Sequence, residues 1–276
     1  MTGLVLLLVA MPAPVTPLPA LETAWFPEGR LYPESVADVR RSTSSASYLA
    51  VERSDVPDSG DRIFLLAVGG RFGLLRRQPQ GNPERGLQLD LEAGFRGEFD
   101  ITEGYDNIGW DGVYGLIGSW RPRPHLALLL GAHHISAHLG DEYVERTGRE
   151  RLGYTRGEAR AAAAWRARPG LWLYGEGGWG YDLRLENLQE PGRAQLGLTW
   201  DSAREAAGPG WFAALDVGAF EERDWQAGLS ASAGIRFRRA ERVWRLGVHL
   251  YDGPVPLGEL FLHDQRWIGI RLGVDV

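Results

Sequence analysis

The stretch Leu87-Gln-Leu-Asp-Leu-Glu-Ala-Gly-Phe-Arg-Gly-Glu-Phe-Asp-Ile101 constrains the fold more than any other part of the chain. Leu87, Leu89, Leu91, Ala93, Phe95, Phe99 and Ile101 share one parity, and Gln88, Asp90, Glu92, Arg96, Glu98 and Asp100 share the other. A β-strand turns successive side chains to opposite faces, so this is a ribbon with one apolar and one charged face. A helix does not produce that period. The ribbon is also far longer than the roughly five or six residues of a common strand. Long alternating segments separated by turns are the pattern of a transmembrane β-barrel, in which about ten tilted residues cross the bilayer.

The alternation recurs in twelve segments: 44–54, 62–77, 87–101, 110–120, 125–139, 154–166, 171–183, 192–202, 210–221, 226–239, 243–252 and 265–276. The expected fold is all-β, a single antiparallel transmembrane barrel of about twelve strands with a polar, charged lumen. Trp110 and Trp120 close one segment at its two ends. Ten residues at about 3.3 Å each, tilted by about 40°, rise roughly 25 Å, the height between the aromatic girdles of such a barrel. An even strand number puts both termini on the periplasmic side. It also sends the longer connections 101–109, 140–153 and 253–262 outward and the short ones, 121–124 and 167–170, inward. Asp90, Glu92, Arg96, Glu98, Arg156, Arg160, Arg236 and Arg271 fall on the polar parity and are expected to pair in the lumen. The opposing reading is a soluble exported β-protein with its apolar faces inward. Soluble barrels are commonly about eight strands, however, and an apolar twelve-stranded interior would be left unfilled.

Outside the barrel, 44–276, two shorter regions are expected. Leu4–Met11 resembles the apolar core of a secretory signal covering 1–20, although no Lys or Arg precedes Arg30 and Leu18 is large for its place before a cleavage after Ala20. Residues 21–43, with Pro27 and Pro33 and no alternation, read as a periplasmic N-terminal segment. No apolar run reaches the roughly 18 residues of a membrane helix. There is no Cys, so disulfide and thiol chemistry are excluded. The net charge of −6 and the lack of a basic patch with interleaved aromatics exclude a nucleic-acid partner. The expected location is the bacterial outer membrane. The expected partners are its lipids and the machinery that inserts barrels.

One segment carries candidate chemistry. His125 to Tyr143 reads HLALLLGAHHISAHLGDEY and holds four of the six histidines. His134, Ser136 and His138 share a face, and i, i+2 neighbours on a strand lie roughly 6.5–7 Å apart, so imidazole and hydroxyl can meet. Ser136 as nucleophile and His134 as base is the geometry of an activated serine. Asp111 across the preceding turn, or Glu158 on the other neighbour, are the candidates to orient the imidazole. Parity leaves the face open: Leu126, Leu128 and Leu130 argue for lipid, Ile135 and Leu139 for the lumen. His138, Asp141 and Glu142 form a rim cluster whose hard acidic ligands suit calcium better than zinc. The bland alternative is a set of polar residues at a strand end.

Two resemblances attach to these residues. His134-Ile-Ser-Ala-His-Leu-Gly-Asp-Glu142, together with Tyr251-Asp-Gly-Pro-Val-Pro-Leu-Gly-Glu-Leu-Phe261 and the final strand, resembles a bacterial family catalogued as domain of unknown function 1207, over roughly residues 26–276. That resemblance implies an outer-membrane barrel without assigned activity. His134-x-Ser136 on a barrel strand is similar to the catalytic pair of outer-membrane phospholipase A and of the lipid A 3-O-deacylase barrels. The former is itself twelve-stranded and calcium-dependent. This likeness implies His134 as base and Ser136 as nucleophile. The chain departs from it at Ala137, where those enzymes have Asn, and at Glu145 and Arg146, near where their orienting residue lies. The sequence therefore leaves a structural or transport barrel, an outer-leaflet lipid hydrolase and a soluble exported protein as its readings.

Overall fold

The computed structural model describes residues 20–202, 209–239 and 242–275. Apart from Ala20, the expected signal segment lies outside the described residues. Among the described residues thirteen strands follow one another: β1 (Leu21–Trp25), β2 (Ser44–Ser54), β3 (Arg62–Pro79), β4 (Gly86–Asp100), β5 (Asp106–Arg123), β6 (Leu126–Leu139), β7 (Thr155–Arg168), β8 (Leu171–Leu183), β9 (Gly192–Asp201), β10 (Gly210–Phe220), β11 (Ala227–Arg239), β12 (Arg242–Pro254) and β13 (Asp264–Asp275). Among the described residues one α-helix, α1 (Asp141–Thr147), stands between β6 and β7, and single 3-10 turns lie at 221–223 and 258–260. From β2 to β13 each strand pairs antiparallel with the next, and β13 pairs with β2, so these twelve strands close into a barrel.

Alternation decides which face is which. On β4, Gln88, Asp90 and Glu92 are 2–3% exposed, whereas Leu87, Leu89 and Leu91 are 39–57% exposed. The charged parity faces the lumen and the apolar parity faces out. The outer wall continues this belt with Leu130, Leu196, Trp211 and Ile270. A soluble protein would bury these side chains, so the wall has the polarity of a barrel in lipid. The walls also bend. Gly69, with φ +150°, lies so close to β4 that a Cβ there would sit 2.3 Å from the Ala93 carbonyl oxygen.

The connections sort into a loop end (55–61, 101–105, 140–154, 184–191, 221–226 and 255–263) and a turn end, where 124–125 and 169–170 are tight. Two expectations change here. The Pro-containing turn is shorter than 121–124, because β5 continues to Arg123 past an irregularity after Trp120. The acidic stretch 140–153 is also more than a loop. Asp141 and Glu142 occupy the first turn of α1, where acidic side chains suit the helix dipole, and Gly148 at φ 66° ends it.

The larger correction concerns residues 21–43, which do not lie apart from the barrel. β1 pairs with the turn-end half of β3, from Leu21 opposite Pro79 to Trp25 opposite Leu75. The chain then leaves the wall, passes through the lumen and returns to the wall as β2. Leu31, Tyr32, Val36 and Ala37 are at most 5% exposed. Prolines keep this segment out of a ladder, so its backbone groups must bond elsewhere. Lumen side chains supply them. Thr199 Oγ1 donates to Glu34 O at 3.0 Å, Ser230 Oγ to Ala37 O at 2.6 Å, and Arg96 Nη1 to Val39 O at 3.0 Å.

The opposite mouth is stopped as well. The β12–β13 connection folds inward, and Val255, Leu257 and Leu260 are 0–1% exposed among Leu49, Ile63, Ile108, Leu139, Tyr143 and Trp267. This lid passes so close to the wall that a Cβ on Gly258 would lie 2.4 Å from Tyr154 Cδ1. Glu259 anchors it by accepting from the backbone N–H of Leu152, Gly153 and Tyr154 at 2.8, 2.6 and 2.9 Å. Helix α1 lies above, its Tyr143 Oη donating to Pro57 O at 2.6 Å. The lumen is therefore apolar at the loop end and charged below it.

Candidate functional site

β6 carries the histidine-rich segment, and its register against β5 sets the neighbours: His134 faces Tyr114, Ser136 faces Gly112 and His138 faces Trp110. These side chains project outward, on the same face as Leu130, which is 70% exposed. Ile135 and Leu139, which argued for the other face, point inward for a reason visible only in three dimensions. The loop-end lumen is apolar because the lid fills it, and Leu139 packs in the lid's cluster while Ile135 packs on Tyr154 and Phe261.

The hydroxyl of Ser136 lies 3.0 Å from Nε2 of His138, not from His134. The His138 ring stacks on Trp110 with centroids 4.2 Å apart, and His134 rests against Tyr114 at 5.2 Å. Aromatic stacking thus fixes the plane of the imidazole that Ser136 meets. The expected orienting residues are elsewhere. Asp111 is opposite Ala137 and faces the lumen, where it accepts from Arg96 at 2.6 Å and from the Gly258 N–H at 3.0 Å. Glu158 is opposite His133, also in the lumen. A one-residue step along a strand reverses the face, and both carboxylates are on the wrong side of it. Among the described residues, neither His134 nor His138 has a carboxylate within 4.0 Å.

The rim trio does not converge either. His138 lies on the outer wall, whereas Asp141 starts α1, is open to solvent and pairs with Arg151 at 2.5 Å. Among the described residues no three His, Asp or Glu side chains come together as metal ligands.

The second assembly lies in the middle of the lumen. Arg160 bonds Glu92 at 2.6 Å and stands 3.7 Å from Glu176. Arg193 bonds Glu176 and, at 2.8 Å, Glu158. Arg156 joins Glu158 at 2.8 Å to Glu222 at 3.1 Å. His133 sits between Glu92 at 3.5 Å and Glu158 at 3.7 Å. Arg40 of the N-terminal segment and Arg156 both lie over the Phe220 ring, at 4.7 and 5.4 Å. Of the expected network, Glu92, Arg96, Arg156 and Arg160 are ion-paired as read. Asp90 instead accepts from Gln88 at 2.5 Å. Glu98 is buried with no salt bridge among the described residues, Arg271 lines a small cavity with Arg41, Arg245 and Asp275, and Arg236 stands 3.9 Å from Asp201. Glu176, Arg193 and Glu222 complete the ladder and were missed, although Glu176 and Arg193 lie on the polar parity of their strands.

Where the two stoppers meet, Arg96 is the common member. It donates to Val39 O of the N-terminal segment at 3.0 Å, to Asp111 of the wall and to Pro256 O of the lid at 3.0 Å. Arg40 donates to Val255 O at 3.1 Å. The cavity left between them encloses about 80 Å³, space for a few waters at roughly 30 Å³ each. In the loop-end connections, burial raises the Glu222 carboxyl above its ordinary pKa against the pull of Arg156. Burial first, and then the Arg149 guanidinium, lower the pKa of the His263 imidazole. His263 links three loops, with Nε2 2.6 Å from Arg149 Nη2 and Nδ1 3.3 Å from Asp55.

Comparison with known proteins places this geometry. The model of the family described as protein of unknown function (DUF1207) matches residues 11–275. No curated protein matches the chain. Among solved structures, outer membrane phospholipase A from Escherichia coli superposes with a TM-score of 0.59 at 7% identity, covering 84% of this chain and 92% of that one. A Salmonella typhi outer membrane phospholipase dimer with bound calcium superposes with a TM-score of 0.59 at 7% identity, covering 84% and 90%. LpxR from Salmonella typhimurium gives 0.42 at 9% identity, covering 85% and 100%. At these identities the phospholipase likeness is one of fold, that of an outer-membrane-type β-barrel.

Proposed function

The chain belongs to the DUF1207 family, and we propose that it is an integral barrel of the bacterial outer membrane, closed at rest, of structural or gated-transport type. The observation that carries this reading is Arg96, which bonds the N-terminal segment, the barrel wall and the lid at once. A standing pore needs a continuous water path, such as the one that 16–18-stranded porins leave along their axis. Here twelve strands enclose two stoppers latched to each other. Longer outer loops and short periplasmic turns are the rule for such barrels, which puts the lid outside and the N-terminal segment at the periplasmic mouth. Its immediate partners are then outer-membrane lipids around the belt and, during insertion, the barrel-assembly machinery.

Conductance across a planar bilayer tests this. The wild type is expected to carry no steady current, and Arg96→Ala to show openings. A steady wild-type current of open-pore size would end the closed reading.

A second reading is favoured by a separate observation, the 3.0 Å contact of Ser136 with His138 on the lipid-facing wall. In an outer-leaflet acyl hydrolase, His138 would take the Ser136 proton as the oxygen attacks a lipid ester carbonyl. It would then return that proton to the departing alcohol, leaving the acyl group on Ser136, and would deprotonate a water that attacks this ester, so that the fatty acid leaves and Ser136 regains its proton. The base is then His138, with Trp110 holding its ring and His134 set aside. This reading has a nucleophile and a base, and among the described residues no carboxylate lies within 4.0 Å of His138 to fix its tautomer. Fatty-acid release from phospholipid and from lipid A, read by mass spectrometry with calcium and with chelator, decides it. Release by the wild type and by His134→Ala, but not by Ser136→Ala or His138→Ala, is the expected pattern. No release by a folded wild type would end the reading.

A further inference from the structure

The outer wall is apolar over most of its height, and on three neighbouring strands the row where it stops being so is sharp. Val248 and Leu250 on β12, Ile268 and Ile270 on β13 and Tyr48 on β2 face outward and are 41–61% exposed. The next outward residues toward the loop end are charged: Asp252 on β12, Arg266 on β13 and, past the irregularity in the β13–β2 register, Arg53 on β2. Asp252 is opposite Arg266, and Arg266 is opposite Arg53, so the three stand side by side. An apolar band that ends at a row of charges marks the level where hydrocarbon gives way to headgroups.

Asp252 joins the two guanidiniums. Arg53 Nη2 donates to its Oδ1 and Arg266 Nε to its Oδ2, both at 2.9 Å. In water an exposed triad of this kind contributes little. Two features set this one apart. First, two like charges stand opposite each other on paired strands, and among the described residues Asp252 is the one side chain that either of them bonds. Both arginines stay open to their surroundings, at 60% and 48% exposed, with donors to spare for a further anion. Second, the wall beneath the row is recessed. Leu229, Ala231, Leu250 and Ile268 bound a hollow of about 210 Å³, and Asp252, Arg266 and Glu52 line the same hollow. Ala231 stands opposite Leu250, and its short side chain leaves the depression there. One recess on the lipid side of the wall therefore has an apolar lower part and a guanidinium at its upper end.

We propose that this recess binds one phosphate-bearing acyl lipid of the surrounding leaflet, with its phosphate on Arg266 and Arg53 and an acyl chain laid over Ala231. Phosphate offers the several acceptor oxygens that guanidinium forks bond in parallel. Its charge also offsets the repulsion between the two opposed arginines. Glu52, at the same end, accepts from the hydroxyls that accompany phosphate in lipid headgroups. A soluble phosphate ester leaves the apolar part of the recess unfilled, which is why the occupant is a lipid. The inference rests on the reading that this wall faces a membrane, and it is independent of whether the barrel gates or hydrolyses.

The test uses the full chain refolded in non-ionic detergent. Insertion into phosphatidylcholine vesicles is scored first. Lipid retention is then read by native mass spectrometry with dioleoyl phosphatidylglycerol, lipid A, dioleoylglycerol and glycerol 3-phosphate. Saturable retention of phosphatidylglycerol or of lipid A supports the proposal, and the tighter of the two identifies the lipid. The Arg53→Gln/Arg266→Gln variant should weaken it at least tenfold, and Ala231→Phe, which fills the recess, severalfold. Arg62→Gln, on an exposed arginine outside the recess, should leave it unchanged. Equal retention of dioleoylglycerol, glycerol 3-phosphate bound as tightly as either lipid, unchanged affinity in the double variant or the same loss in Arg62→Gln would overturn the proposal. If the double variant does not fold, Ala231→Phe decides, and unchanged retention there overturns it. Failure of the wild type to insert overturns the membrane reading and this site together, whereas an inserted barrel without selective retention overturns the site alone.

Discussion

At the loop end Leu139 and Ile108 of the wall meet Leu257 and Leu260 of the lid in a dry apolar cluster, whereas in the middle of the lumen Glu92, Arg160, Glu176, Arg193 and Glu158 meet in a ladder of ion pairs. Both regions are closed, and they should respond differently to damage. Apolar packing loses what a deleted side chain contributed. An ion-pair ladder strands a buried charge whenever one member goes, and that penalty exceeds the worth of the pair. The middle of the lumen is therefore brittle, and the loop end is graded.

The largest effect is expected where the two regions join. Arg96→Ala removes three hydrogen bonds and leaves Asp111 buried without its cation, which costs about 3–5 kcal/mol. Equilibrium unfolding in urea from lipid vesicles measures it. A loss under about 1 kcal/mol would put solvent rather than Arg96 beside Asp111.

Next comes the lid itself. Leu260→Ala removes a side chain that is 0% exposed and should cost about 2–4 kcal/mol by transfer and cavity terms. Leu260→Met, which conserves volume, should cost less than about 1.5 kcal/mol. If the two cost the same, packing is not what holds the lid.

A smaller effect comes from pH. His263 has a lowered pKa in the folded protein, so the unfolded or opened loop binds the proton more readily. Its stabilising contribution is full above the ordinary histidine pKa of about 6.5 and falls away as pH drops below it. Protonation removes the acceptor that Arg149 uses and places two positive charges together. Lid opening, read by protease access to 255–263, should rise on acidification in the wild type and not in His263→Gln, while the ladder below stays closed.

The smallest effect on stability is expected on the outer wall. Ser136→Ala should change stability by no more than about 0.5 kcal/mol, because the hydroxyl gives up one bond beside lipid and no packing. The same variant is decisive for hydrolysis, which separates stability from chemistry at this site.

How legible was this protein in advance? The period of Leu87 to Ile101 was enough for the ribbon, its long repeats for the barrel, and the boundaries of the twelve segments fall within a few residues of β2 to β13. The polar parity also named Glu92, Arg96, Arg156 and Arg160 as lumen residues that pair. The site on β6 was legible only as a set. The hydroxyl of Ser136, expected beside His134, instead meets His138, because side-chain torsions and the stacking surface of Trp110 choose between two imidazoles equally spaced from it. Asp111 and Glu158 were placed near in register and lie on the opposite face.

Local pattern determines what a strand can present to each side, because a pleated backbone alternates whatever surrounds it. It does not determine what fills the space inside. The segment 26–43 and the lid 255–261 have no period, since neither joins a ladder. Their places follow from lumen shape and from which backbone groups remain to be satisfied. The dry cluster around Leu257 and the Arg96 junction were decided by the closed barrel, where residues far apart in the chain share one enclosed volume.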